Sequence, residues 1–373
     1  MLTDTSLYEE CPQMWLQARQ QMCLEMEQRG FTPAQGMPYL YGIFKAKKRK
    51  WRPISGACSE RSENNLQLGK PAHPMAEVHQ LLTRIFQAVL NVLKEKDQER
   101  MVKENRRAFW IKESPQEIAA WLRQNLAALG GRPMKVVDFK EMYTNIPHNL
   151  LCERVKSAVD EAVQWEAQKQ HSRVCALVNF SREDGKLCWS GESPSSAEQL
   201  GAMRVSLNDL HDLLSWTLRN CFVANGAILR RQIKGIPMGI SPSPQLANIF
   251  CYVVERQFMY ATTLTRSLNC RYLDDVFVVD LMPSEDDYGM KYAVSSEGLD
   301  VVYVGMRIYV KDGATRTTLY DRDEEYPFHI LRYPHTGSIA SDAQRHNNGT
   351  LCCRSTILLY YVGSEAINSV DPT

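Results

Sequence analysis

The sequence lacks long apolar runs, a secretory signal pattern and a spaced set of metal-binding cysteines. No apolar stretch approaches the length of a membrane-spanning helix, and the first ten residues lack the charged and then apolar pattern of a signal peptide. The 11 cysteines show no repeated metal-ligand spacing, and Cys352 and Cys353 are adjacent where a zinc knuckle would separate its ligands. These absences predict a soluble intracellular protein without disulfides, zinc or a membrane partner.

The chain also has little net charge. Its 44 lysines and arginines nearly balance 43 acidic residues, which leaves a formal charge of +1. Binding of nucleic acid would therefore need a local basic patch, because the field of the whole protein is weak. With 373 residues, of which 44% are hydrophobic, the chain is long enough for two or three subdomains.

Hydrophobic spacing predicts a helical lead-in followed by strands and helices in alternation. The polar stretch 166–204, with its turn signals, is predicted to be a surface insertion. Predicted helices are 15–26, 75–93, one opened by Pro147, one begun at Ser206, one after Gly239 and 285–296. Predicted strands are a pair within 41–55, 136–139, a hairpin closed by Asn225-Gly226, a hairpin over 271–279, 301–310 and 317–320.

Three aspartates stand at predicted strand ends. Asp138 ends a short apolar strand, and Asp274-Asp275 has apolar residues on both sides, as expected of a hairpin whose turn carries the acids. A pair of acids at a hairpin tip is more often a solvated turn. Here, however, four apolar residues come next, so the acids would lie at the edge of a buried sheet, where charge is costly unless a metal compensates it. Carboxylates hold the hard divalent cations that support phosphoryl transfer.

Three short motifs occur in order along the chain. They are the strand ending in Asp138, the loop Gly235-Ile236-Pro237-Met238-Gly239, and the turn Tyr272-Leu273-Asp274-Asp275. Together they resemble the motifs of the reverse transcriptases, and Tyr143 follows the first acid by five positions, as in that family. Within the family, residues 143–147 and 243–248 are most similar to the Penelope-like elements, relatives of telomerase. The resemblance covers residues 41–333.

The resemblance implies an α+β right-hand polymerase fold. Fingers and a palm are expected, with an antiparallel palm sheet backed by helices and a thumb that is short or missing. The implied domains are a helical lead-in at 1–37, fingers at 38–130, a palm at 131–310 that carries the surface insertion, and a primer-grip region with a residual C-terminal segment at 311–373.

The function implied by the resemblance is RNA-directed DNA polymerase. Such an enzyme extends a primer 3′ end by two-metal-ion nucleotidyl transfer, and this chain would be derived from a retroelement. The implied cofactor is Mg²⁺, as two ions, with Mn²⁺ as a substitute. The implied partners are an RNA template, a DNA primer and deoxynucleoside triphosphates, and a nuclear location is favoured over a cytoplasmic one.

The resemblance also assigns the site residues. Asp138, Asp274 and Asp275 would be catalytic and would bind the metal together with Phe139. The implied nucleotide contacts are Lys47, Arg52, Tyr143, Pro237, Met238 and Gly239, and the implied template or primer contacts are Gln232, Tyr272 and Gly305.

Several alternatives stay open at this point. The basic run 45–50 also fits a solvated turn or a nuclear-import signal. Tyr143 is either a ring that excludes a 2′-hydroxyl, which favours DNA synthesis, or a core residue. No lysine lies between Lys291 and Lys311, so the general acid for pyrophosphate is not identified. The competing functions are an RNA-dependent RNA polymerase, which Tyr143 opposes, and a catalytically inactive RNA-binding or telomere-associated module with the same fold.

Overall fold

The computed structural model describes residues 6–12, 14–34, 36, 38–45, 50–56, 73–169, 177–180, 187–189, 203–225, 228–262 and 267–321. The chain divides into two compact units. The first unit comprises Met1–Phe109, Lys140–Ser267 and Pro283–Lys291, and the second comprises Trp110–Phe139, Leu268–Met282 and Tyr292–Thr373. Predicted features at Lys47 and in the thumb region after residue 321 lie outside the described residues.

The described residues form eight helices and fifteen strands. No helix among them combines the length and apolar character of a membrane span. The helices are α1 (Trp15–Gln28), α2 (Ala76–Glu104), α3 (Pro115–Leu129), α4 (Met142–Asn145), α5 (His148–Lys169), α6 (Leu207–Arg219), α7 (Ser243–Ala261) and α8 (Glu285–Tyr288). The strands are β1 (Tyr8–Glu10), β2 (Tyr39–Lys45), β3 (Lys50–Gly56), β4 (Met134–Phe139), β5 (Leu177–Phe180), β6 (Leu187–Trp189), β7 (Met203–Ser206), β8 (Phe222–Asn225), β9 (Ile228–Gln232), β10 (Cys270–Tyr272), β11 (Asp275–Val278), β12 (Tyr292–Gly298), β13 (Asp300–Tyr303), β14 (Met306–Lys311) and β15 (Ala314–Leu319).

Three long helices, α2, α5 and α7, pack together in the first unit. The predicted helix at 75–93 is confirmed and continues to Glu104. The helix predicted after Pro147 is α5, and the helix predicted at Ser206 is α6, whose capping box joins Ser206 and Asp209. Helix α5 buries the apolar face that its spacing predicts, namely Leu151, Val155, Ala158, Val159 and Ala162.

The first unit also contains two sheets. One has the strand order β1-β9-β8-β2-β3, and β2 and β3 form the antiparallel pair predicted within 41–55. The hairpin predicted around Asn225 is the antiparallel pair β8 and β9. The other sheet has the order β6-β5-β7 and comes from the predicted surface insertion, of which only part is described.

The second unit is built on two antiparallel sheets, of order β10-β11-β4-β12 and β13-β14-β15, together with α3. Ser114 caps α3 by accepting from the N–H of Glu117, and Gly130 ends it in the left-handed conformation at φ 55°. Phe277 lies at the centre of the core, with ring centroids 6.0 Å from Trp121 and 5.5 Å from Tyr303. The apolar cluster that contains these three rings therefore packs against β11, the strand that begins at Asp275.

Residues 285–296 do not form the single helix predicted for them. The capping box of Ser284 and Asp287 starts α8, but Gly289 at φ 68° ends it after one turn. The chain then forms β12, which pairs antiparallel with β4. Backbone pairing of β12 with a distant strand thus outweighs the helical spacing of residues 285–296. The segment predicted as strand over 301–310 contains two strands, because Val304 and Gly305 form a turn between them.

Candidate active site

The paired acids lie on a tight hairpin in the second unit. Tyr272 and Asp275 face each other across β10 and β11, so Leu273 and Asp274 form the two-residue turn. The hairpin predicted at the acids is therefore confirmed. Leu273 has a φ of 53°, a left-handed conformation that a residue with a branched side chain rarely adopts. Such strain persists only where the surrounding structure fixes it, and it is common at functional sites.

Strand register places two of the acids side by side. Asp138 on β4 is directly opposite Asp275 on β11, and the N–H of Phe139 donates to the Asp274 carbonyl at 3.0 Å. Because Phe139 and Asp274 form the hydrogen-bonded pair, Asp138 and Asp275 form the adjacent non-hydrogen-bonded pair, whose side chains lie closer together on one face. All three aspartates are half-buried.

The three aspartates would provide part of a binding site for a hard divalent cation. Two like charges directly opposite on a sheet destabilise it, and a divalent cation would offset this repulsion. Among the described residues, no group of three or more His, Cys, Asp or Glu side chains converges on one point. Register thus unites Asp138 and Asp275, while Asp274 stays in the turn. The Phe139 ring is buried against Tyr292, and its predicted metal contact stays a prediction.

Two buried polar residues support the hairpin, and sequence reasoning missed both. Arg271 is fully buried and donates from Nη1 to the Leu273 carbonyl at 3.2 Å. The Tyr303 hydroxyl donates to the Asp275 carbonyl at 3.4 Å, and burial raises the pKa of Tyr303 well above its usual value. A cation directly before Tyr272 in an otherwise apolar strand was the available signal for Arg271.

The predicted primer and template positions of the second unit lie in different settings. Tyr272 is half-buried and packs against the apolar core. Gly305, at φ 76°, occupies the turn between β13 and β14, and a Cβ added there would have no neighbouring atom within 4 Å. Its carbonyl accepts from the N–H of Tyr320 at 2.9 Å. The predicted contacts of Tyr272 and Gly305 with template or primer stay predictions.

In the first unit, the 235–239 loop lies against the turn that carries Tyr143. The N–H of Gly235 donates to the Ile146 carbonyl at 3.0 Å, and the N–H of Ile236 donates to the Tyr143 carbonyl at 2.5 Å. A Cβ at Gly235 would lie 2.4 Å from the Tyr143 carbonyl oxygen, and φ is 83°. Glycine is thus required here because two backbones touch.

The other end of the loop lies against β3, the strand that carries Arg52. The N–H of Ser55 donates to the Met238 carbonyl at 2.7 Å, and Ser243 Oγ donates to the Pro237 carbonyl at 2.5 Å. A Cβ at Gly239, where φ is 117°, would lie 2.0 Å from the Ser55 carbonyl oxygen. The first unit therefore brings the segment of Tyr143 and the strand of Arg52 against the two ends of the loop.

Side chains around the loop were not identified from the sequence, apart from Gln232. His148 Nε2 lies 2.7 Å from the Gly235 carbonyl oxygen. Asn145 donates to the Lys140 carbonyl at 3.0 Å and accepts from Lys234 Nζ at 3.4 Å. Gln232 is buried and donates to the Lys234 carbonyl at 2.9 Å, so this amide hydrogen bonds to the loop's own backbone. Its predicted contact with template stays a prediction.

Comparison with known proteins finds similarity at the level of structure. No family model and no curated protein matches the sequence. Telomerase from Candida tropicalis, solved in complex with the TWJ fragment of telomeric RNA, matches with a TM-score of 0.50 and 15% identity over 92% of this chain and 52% of that one. Apo telomerase from the same organism, truncated from its C-terminal domain, gives 0.50 and 15% over 84% and 57%. The chain thus has a telomerase-like reverse-transcriptase fold and spans about half the length of those chains.

Proposed function

We propose that this chain is an RNA-directed DNA polymerase that extends a primer 3′ end. The observation that carries the proposal is the register of β4 and β11, which sets Asp138 and Asp275 side by side with Asp274 in the adjoining turn. The telomerase-like fold supports it. In this assignment β4, β10, β11 and β12 are the palm sheet, and β2 and β3 belong to the fingers.

The carboxylates act by holding metal. Two bound Mg²⁺ ions supply the Lewis-acid chemistry of nucleotidyl transfer. Asp138 and Asp275 would hold them, with Asp274 and the Phe139 backbone as further donors. The half-buried position of these acids strengthens their interaction with a divalent cation relative to bulk water.

The first unit would bind the nucleotide. Arg52 carries a planar fork of donors that fits phosphate oxygens and keeps its charge throughout the reaction. Tyr143 would place its ring against the 2′ carbon of the sugar and so exclude a hydroxyl. Backbone hydrogen bonds join the 235–239 loop to Tyr143 at one end and to β3, the strand of Arg52, at the other.

The proposed partners are an RNA template, a DNA primer and deoxynucleoside triphosphates. The telomerase structure with telomeric RNA supports RNA as one of them. Residues 143–147 and 243–248 favour a Penelope-like, retroelement-derived branch, and the basic run near Arg52 favours a nuclear location.

A primer-extension assay tests the proposal. The purified chain, Mg²⁺ or Mn²⁺, deoxynucleotides and a DNA primer annealed to an RNA template should give extended primer. Asp275→Asn should bind the same duplex without extending it. A wild-type chain that binds RNA but extends no primer with either metal would instead be the inactive RNA-binding module.

The sugar preference separates DNA from RNA synthesis. Tyr143→Ala should reduce the ratio of kcat/KM for dGTP over GTP by about tenfold to a hundredfold, because excluding one hydroxyl sterically corresponds to about 1–3 kcal/mol. Tyr143→Phe should leave the ratio unchanged, since the ring and not its hydroxyl is the obstacle. A wild type that prefers GTP would show that the product is RNA.

A further inference from the structure

One peptide group joins the 235–239 loop to the turn that carries Tyr143. Its N–H, from Ile236, donates to the Tyr143 carbonyl, and its C=O, from Gly235, lies 2.7 Å from His148 Nε2. These two groups belong to a single planar unit. A rotation of the plane that breaks one hydrogen bond therefore also moves the other.

The backbone around this peptide leaves little freedom. Gly235 has a φ of 83°, and even a Cβ would lie 2.4 Å from the Tyr143 carbonyl oxygen and 2.6 Å from the Thr144 Cα. The N–H of Gly235 is held by the Ile146 carbonyl at 3.0 Å. Because the N–H of Gly235 is fixed, the orientation of the peptide between Gly235 and Ile236 depends on the group that hydrogen bonds to the Gly235 carbonyl.

His148 is well placed to be that group. It is the first residue of α5, directly after Pro147, and α5 is anchored by its buried apolar face. Burial lowers the pKa of His148, so the imidazole is neutral at neutral pH. A neutral ring can donate to the carbonyl only with its proton on Nε2.

We propose that His148 is a positioning residue for Tyr143. By donating from Nε2 to the Gly235 carbonyl, it fixes the peptide plane whose N–H holds the Tyr143 carbonyl. The inference rests on the proposed function, in which the ring of Tyr143 excludes a 2′-hydroxyl. A ring excludes a hydroxyl only if its backbone cannot retreat, so sugar discrimination depends on His148 although His148 need not touch the nucleotide.

Three variants isolate the hydrogen bond. His148→Leu removes the donor and keeps a side chain of similar reach, whereas His148→Gln places an amide N–H near the position of Nε2. The matched control is His211→Leu in α6 of the same unit. There burial also lowers the histidine pKa, and Nε2 has no hydrogen-bond partner among the described residues.

Two measurements report on the proposal. In His148→Leu, hydrogen exchange of the Ile236 amide should accelerate by about threefold to tenfold, the effect of losing one hydrogen bond. The ratio of kcat/KM for dGTP over GTP should fall by a similar factor. His148→Gln and His211→Leu should keep wild-type values of both. If His148→Leu does not fold, His148→Asn replaces it, because its shorter amide does not reach Gly235.

Two results would overturn the proposal. One is an unchanged rate of Ile236 exchange in the donor-free variant. The other is an equal loss in the donor-free variant and in His148→Gln, which would mean that the ring only fills space. A wild type that incorporates no nucleotide would refute the proposed function, and Ile236 exchange would still decide whether His148 holds the loop.

Discussion

The second unit positions its acids by strand register, whereas the first unit positions its loop by separate backbone and side-chain hydrogen bonds and by close backbone contacts. Asp138 and Asp275 are opposite each other because β4 and β11 pair in one register. The 235–239 loop is held by His148 and Ser243 and by glycines that let backbones touch. Strand register cannot be lost in part, since a slip of one residue turns every side chain of the strand to the other face of the sheet. A loop held by separate bonds can instead be loosened one bond at a time.

The largest effect is expected for Asp138→Asn. Loss of a metal-binding carboxylate should lower nucleotide incorporation by at least about a thousandfold, because metal binding contributes several kcal/mol to the transition state. Folding should not suffer, since the change removes one of two like charges that face each other. Primer extension and urea unfolding of the same preparations measure the two quantities.

Asp280→Asn is the matched control for that substitution. Asp280 lies just beyond the other end of β11, where it accepts from the N–H of Leu268 at 2.8 Å and from Arg132 at 3.1 Å. Its loss should lower stability by about 1 kcal/mol and leave incorporation intact. Equal effects of Asp138→Asn and Asp280→Asn on incorporation would mean that Asp138 has no special role in the chemistry.

Local patterns in the sequence predicted much of this arrangement. Apolar flanks around the acids indicated the hairpin, and the capping box at Ser206 marked the start of α6. Such signals lie within a few residues of the feature that they describe. The helix predicted over 285–296 was wrong. The capping box at Ser284 does start a helix, but Gly289 ends it. The following residues then pair with the edge of β4 as strand β12.

Side chains that act across long separations in sequence escaped prediction. His148 binds a carbonyl 87 positions away. Arg271 binds within its own hairpin, but its burial depends on the whole second unit. No periodicity marks either residue, since each contact exists only after the chain has folded.

A second comparison sets Gly239→Ala against Gly305→Ala. Both glycines have positive φ, which costs an alanine about 1–2 kcal/mol. A Cβ at Gly239 would also lie 2.0 Å from the Ser55 carbonyl oxygen, whereas Gly305 has nothing within 4 Å. Gly239→Ala should therefore lower the free energy of unfolding by at least about 3 kcal/mol, and Gly305→Ala by about 1–2 kcal/mol. Urea midpoints at unchanged m-values measure the difference. Equal losses would show that the loop can move away from β3.

Mild acid should destabilise the first unit before the second. Burial lowers the pKa of His73 to about 4 and that of His79 well below its usual value. The unfolded chain, with a histidine pKa near 6.5, then binds more protons than the folded chain, so stability is lost as pH falls from about 6.5 towards 4. His73 alone should cost about 1 kcal/mol at about pH 5.5.

The measurement is the urea midpoint at neutral pH and in that acid range. His73→Asn is the control. In the wild type the N–H of Met75 donates to His73 Nδ1 at 3.1 Å, and asparagine keeps an acceptor for this N–H but does not titrate. In this window Asp300 of the second unit should contribute nothing to the loss, since Arg307 lowers its pKa and the contribution disappears only below the usual carboxyl range. An equally steep pH dependence in His73→Asn would assign the loss to other groups.

The smallest effect is expected for the exposed ion pair of Asp300 and Arg307 in the second unit. Arg307 donates to both carboxylate oxygens of Asp300, at 3.0 Å and 2.6 Å, but the two side chains are 46% and 48% exposed. Asp300→Asn should lower the free energy of unfolding by about 0.5 kcal/mol, because exposed ion pairs are screened by water and salt. The loss should vanish at about 1 M salt, where screening acts within a few ångströms. A loss above about 2 kcal/mol that persists in salt would show that side chains hold the β13–β14 hairpin together. The contrast between a register-built unit and a unit held by individual hydrogen bonds would then fail.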